Sequence, residues 1–110
     1  MLKQYMRVNI LVPMKPETRK TFTGMIKRLC RDFGGVTYVK PHLPSQVEGM
    51  WFDDQTGEII RDQHISLWID VDVSNGIDVE GYFATFKKKY EKLLKESVLW
   101  IMSHSAVRVA

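Results

Sequence analysis

From His64 to Val73 the side chains alternate without a break. Ile65, Leu67, Ile69, Val71 and Val73 fall on one side, and His64, Ser66, Trp68, Asp70 and Asp72 on the other. A period of two sustained this far specifies a long strand with one face on a core and the other face outside it. A second strand, residues 5–12, repeats the pattern with Met6, Val8, Ile10 and Val12 on its apolar side, and Pro13 is expected to end it.

Two helices are available to cover those apolar faces. Pro16 and Glu17 suit a first turn, and Phe22, Met25, Ile26, Leu29, Cys30 and Phe33 then recur every three or four residues. Gly34-Gly35 closes that helix, because glycine adopts the left-handed conformation a C-terminal cap needs. Cys30 on the stripe reads as a core thiol. The second helix opens at Asp78, a suitable N-cap, and carries Val79, Tyr82, Phe83, Phe86, Tyr90, Leu93 and Leu94.

Shorter segments complete the order. Val36–Val39 is a brief strand, and Pro41 and Pro44 mark a loop. Val47–Phe52 and Glu58–Arg61 make a hairpin around an Asp- and Gly-bearing turn. A last strand runs from Val98 to Met102, with a tail through Val109. The sequence β-α-β-(hairpin)-β-α-β predicts one α+β domain over residues 1–110. Its expected architecture is a ferredoxin-like split βαβ sandwich with an inserted hairpin, the antiparallel sheet covered on one face by both helices. At 110 residues the chain is too short for the βα units of an open doubly wound sheet.

A sheet covered on one face leaves the other for water, a ligand or another subunit. Tyr5, Arg7, Asn9 and Leu11 are expected there with His64, Ser66, Trp68 and Asp70, joined from the last strand by Trp100 or by its neighbours Leu99 and Ile101. A tryptophan in the middle of an open face is costly to leave wet. Either the hairpin or tail folds over it, or two copies pair face to face as a homodimer around a shared cavity. The reading adopted is a homodimeric ligand-binding or regulatory domain for a small ligand. Arg7, Trp51, Arg61 and Trp68 are the binding candidates, with His64 beside them.

Two other classes compete with that reading. In a cofactor-free enzyme, His64 would act as acid or base with Asp70 or Glu96, since imidazole titrates near neutrality. Alternatively, the helices would bind nucleic acid: residues 15–33 hold Lys15, Arg19, Lys20, Lys27, Arg28 and Arg31 against only Glu17 and Asp32. A net charge of +3 permits this without requiring it, and routine Glu–Lys pairing on a solvated helix accounts for the same residues. The RNA-recognition version of this fold needs paired aromatics in a Gly-rich context, which His64-Ile-Ser-Leu-Trp-Ile-Asp lacks.

Metal and cofactor sites are not expected. Asp70 and Asp72 share a face but have no third ligand nearby in sequence, and His42, His64 and His104 are too widely spaced for a local zinc motif. No phosphate loop, nucleophile elbow or dinucleotide fingerprint is present. One cysteine excludes an internal disulfide. No apolar run reaches a membrane span and the first residues lack a leader's apolar core, so a cytoplasmic address is expected.

The most distinctive stretch is Gly49-Met-Trp51-Phe-Asp53-Asp-Gln-Thr-Gly57-Glu-Ile-Ile-Arg61-Asp62. With Tyr90 and the Glu96-Ser97-Val98-Leu99 junction, it resembles a set of small bacterial domains of unknown function. These combine a Gly-x-Trp-x-Asp hairpin with a Tyr-bearing helix and a Glu-Ser-Val-Leu strand entry. The similarity spans roughly residues 8–109, with a shorter join between Tyr90 and Glu96 here and a different Pro41–Ser45 loop. It implies the ferredoxin-like fold and no particular activity. Within the hairpin, Gly49 allows a bulge, Trp51 serves as an anchor and Gly57 completes the turn. Glu96 is placed where it could reach Arg61 or Arg7.

Overall fold

The computed structural model describes the backbone of residues 2–13, 15, 18–39, 47–95 and 98–109, and the side chains of these except 47–49, 51, 61 and 62. The elements are β1 (Leu2–Pro13), α1 (Arg19–Phe33), β2 (Thr37–Tyr38), β3 (Val47–Phe52), β4 (Ile59–Asp72), α2 (Val79–Leu93) and β5 (Trp100–Val109). The strands form one antiparallel sheet in the order β2-β4-β1-β5, with β3 also paired to β4. This α+β arrangement is compatible with a ferredoxin-like sandwich.

Alternation decides which face is buried. Val8 pairs with Ile69, Ile10 with Leu67 and with Ile101, and Val12 with Ile65, so these side chains share one face. Phe22, Met25 and Leu29 of α1 and Phe83, Phe86 and Tyr90 of α2 close over it, and Leu94 and Leu99 seal the end of the layer. Phe86 is fully buried and packs on Tyr82, Phe83 and Tyr90. Gly34, at φ +85°, caps α1 by donating to the Cys30 carbonyl, and the Asp78 carboxylate caps α2 by accepting from Gly81 N. No described helix is long and apolar enough to cross a membrane.

The strands run farther than sequence alternation suggests. β1 continues through Pro13, which lies at its C-terminal end. The hairpin's return strand and the central strand are one element, β4, whose first residues pair with β3 alone. The hairpin therefore extends in the plane of the sheet as an arm, and the molecule measures 50 × 29 × 27 Å. The expected C-terminal tail is likewise the body of β5, paired with β1 as far as Val109. Neither tail nor arm folds back over the open face among the described residues.

Three residues expected in the core are exposed: Val73, Cys30 and Leu93. Val73 falls past the end of β4, in a 3-10 turn over Val73–Asn75, so the alternation of the strand does not reach it. Cys30 lies about 80° around the axis from Phe22 at 3.6 residues per turn, off the buried stripe of Phe22, Met25 and Leu29. Leu93 is also exposed, and of the expected pair only Leu94 is in the core.

Candidate functional site

The register of β4, β1 and β5 lays out the uncovered face in rows. Tyr5 lies between Asp72 and Ala106, Arg7 between Asp70 and His104, Asn9 between Trp68 and Met102, and Leu11 between Ser66 and Trp100. The face thus divides in two. One half is largely apolar, with Leu11, Trp68, Trp100 and Met102. The other is charged, with Lys3, Arg7, Asp70, Asp72 and Arg108.

In the charged half the acids are held by neighbours. Arg7 donates from Nε to Asp70 Oδ1 at 2.7 Å and from Nη2 to Oδ2 at 2.9 Å, a two-pronged contact that fixes both groups. That contact keeps the Asp70 carboxyl below its ordinary value, and the charges of Arg108 and His104 add to the effect. Asp72 is held at about 2, chiefly by the Ser74 hydroxyl, which donates to Oδ1 at 2.6 Å, and then by Lys3 at 3.0 Å. No cluster of three metal-ligating side chains occurs among the described residues.

Arg108 differs from Arg7. Its guanidinium carbon lies 5.9 Å from the centre of the Tyr5 ring, and among the described residues it forms no ion pair. It borders two adjoining grooves that also share Asp70. One, of about 450 Å³, runs past Trp68 and Thr37 to the Phe33–Val36 turn. The other, of about 240 Å³, lies over Tyr5, Arg7 and Ala106. A third cavity, of about 460 Å³, lies on the helix side between α2 and the sheet, lined mainly by Met6, Val8, Phe83 and Ile101 with Glu80 and Lys87.

The residues nominated from sequence do not form one cluster. Arg7, Trp68 and Asp70 do come together. His64 is on the same strand face as Asp70 but six residues away, about 20 Å at the rise of an extended strand, and only 3% exposed. It sits where three strands meet, opposite Pro13 on one side and Val47 on the other, so it is not the accessible open-face histidine expected. Arg61 and Trp51 belong to the arm, with backbones opposite Met50 and Ile60. Their side chains, and all of Glu96, lie outside the described residues. Arg61 is nine residues along β4 from Asp70, about 30 Å.

Sequence reasoning misses Lys3 and Arg108 of the charged half, and the roles of Tyr5 and His104 beside them. Tyr5 was placed on the right face, but its contact with Arg108 depends on how the two ends of the chain pair. The last strand supplies Trp100 to this face, while Leu99 and Ile101 point into the core layer. The helices are also less free than their composition suggests. Arg28 lies over the rings of Tyr82, Phe86 and Tyr90, and Lys87 pairs with Glu91. No family model, curated protein or solved structure matches this chain.

Proposed function

We propose that the chain is a ferredoxin-like ligand-binding or regulatory domain whose open sheet face takes a small carboxylate with a flat apolar body. The observation that carries this reading is Arg108, a guanidinium without an ion pair among the described residues, held over the Tyr5 ring at the junction of two grooves. A guanidinium fork matches a carboxylate in shape and charge, and Trp68, which lines the larger groove, offers a flat face to the rest of the ligand. Arg7, already filled by Asp70, forms a fixed wall. In this reading the face stays open to ligand. Closing two such faces on each other would desolvate Lys3, Arg7, Asp70, Asp72 and Arg108 together, at high cost.

The test is a calorimetric titration with benzoate and salicylate, using benzamide as the neutral control. Both carboxylates are expected to bind and benzamide is not. Arg108→Gln should weaken binding about tenfold or more, the scale of a lost charged hydrogen bond. Failure of the carboxylates to bind, equal binding of benzamide, or an unchanged Kd in Arg108→Gln overturns the reading.

A further inference from the structure

The two edges of the sheet are built differently. On one side β4 is flanked by the two-residue β2 and by β3 of the arm. On the other, β5 runs ten residues with its outer edge unpaired by any described strand. Exposed edges in soluble proteins are usually blunted by lysine, proline, a bulge or short length. β5 has no Lys and no Pro, its one arginine, Arg108, turns its guanidinium inward over Tyr5, and it pairs with β1 in unbroken register from Trp100 to Val109. Its exposed side chains include Trp100 at 45%, Met102 at 62% and Val107 at 54%.

We propose that the occupant of this edge is a second copy of the chain, paired antiparallel through β5 about a two-fold axis normal to the sheet at His104. The geometry restricts the choice. In an antiparallel pair, residues directly opposite face the same side, so the axis must pass through a residue rather than between two. Axes at 104 and 105 each pair nine residues, whereas an axis at 103 pairs only seven.

The axis at His104 is the one that makes the strand complementary to itself. Arg108 then stands directly opposite Trp100 of the second copy, its aliphatic stem beside the indole while its guanidinium stays over Tyr5. Met102 faces the small Ala106 on the same side of the sheet. On the helix side Ile101 faces Val107 and Ser103 faces Ser105, like against like. An axis at Ser105 instead sets Arg108 against Met102 and Val107 against Ser103. The pairing at His104 leaves the charged half of each open face uncovered and makes the two open faces continuous. It does not rest on the ligand proposal, since a monomer can bind benzoate and a dimer can fail to.

Light scattering of the unmodified chain and cysteine cross-linking test the proposal. Scattering should report twice 12.8 kDa at micromolar concentration. In a Cys30→Ser background, His104→Cys should form an intermolecular disulfide under mild oxidation, because residues facing each other at the axis lie within disulfide reach. Ser105→Cys in the same background should cross-link several-fold less, its two copies standing about 8 Å apart from strand spacing and rise. Both variants should retain the circular dichroism of the parent. A 12.8 kDa particle throughout that range overturns the proposal. So does a dimer that cross-links better through Ser105→Cys or a Trp68→Cys variant, or equally at every position.

Discussion

Arg28 lies on α1 yet faces α2, with its guanidinium carbon 5.2, 5.4 and 5.7 Å from the ring centres of Tyr82, Phe86 and Tyr90. Its Nε lies 3.6 Å from Asp32, whose carboxylate also accepts from the Tyr82 hydroxyl at 2.5 Å. The side chain is only 20% exposed. Replacing Arg28 with Met keeps a long apolar stem and removes the charge. A cation over aromatic rings contributes about 0.5 kcal/mol when exposed and about 2 when desolvated. One cation shared by three rings is not worth three such contacts, because the terms are coupled. The partly exposed ion pair to Asp32, one turn along the helix, adds about 0.3 kcal/mol. We therefore expect Arg28→Met to cost about 1.5–2 kcal/mol, and Arg28→Ala, which also loses the packed stem, about 3. In urea, with a slope of about 1.5 kcal/mol/M, the Met variant's midpoint should fall by about 1 M with its slope unchanged. If Arg28→Met stays within about 0.5 kcal/mol of the parent, the guanidinium is an ordinary surface cation. The basic face of α1 would then regain its claim on an anionic partner.

Tyr82 is raised to about 12 by burial and by its bond to Asp32, so its neutral form is favoured in the folded chain. Its contribution is complete below about pH 10, the unfolded value, and is lost as pH rises toward 12; Tyr82→Phe should flatten the alkaline fall in melting temperature. Asp72, held at about 2, acts in the opposite direction: its contribution is present above about pH 4 and lost as pH falls toward 2. Asp72→Asn should remove that part of the acid dependence, and an unchanged acid profile would refute the assignment. Native protein should react with Ellman's reagent at Cys30 as fast as urea-unfolded protein within a few-fold, and Cys30→Ser should leave stability within about 0.5 kcal/mol; a thiol silent until unfolding would return it to the core.

The parts of the fold legible in sequence are those where the two faces of an element meet different surroundings. β4 alternates strongly because helices cover one of its faces and not the other, and both amphipathic helices follow from the same contrast. β5 fails as a sequence signal for the complementary reason. Ile101 is its last side chain packed against the core. Past it, Ser103, Ser105 and Val107 on the helix side are as exposed as Met102 and His104 behind them. With water on both faces there is no selection for alternation, and pairing with β1 alone makes the segment a strand. Cys30 and Leu93 show the limit of counting apolar residues at helical spacing. Both fit a three-or-four rule, and both stand outside the arc that the sheet covers.

The candidate site inherits that blind spot. Arg7 and Asp70 could be nominated because both lie on strands whose faces alternate visibly. Arg108 and His104 lie on the segment where alternation fades, and they join the site only once Tyr5 is known to pair with Ala106 and Arg7 with His104. His64 erred the other way: its parity was right, but parity cannot reveal that a third strand flanks it. The same register divides the open face, placing fixed ion pairs at the β1 start and apolar side chains toward the β1 end. That division argues against stacking one face on another, which would strip water from the ion pairs in order to cover Trp100 and Met102. Pairing along β5 would set Trp100 against the stem of Arg108 and Met102 against a small side chain while the ion pairs of Lys3, Arg7, Asp70 and Asp72 stay solvated. The long unguarded edge and the exposed tryptophan are then two consequences of one contact.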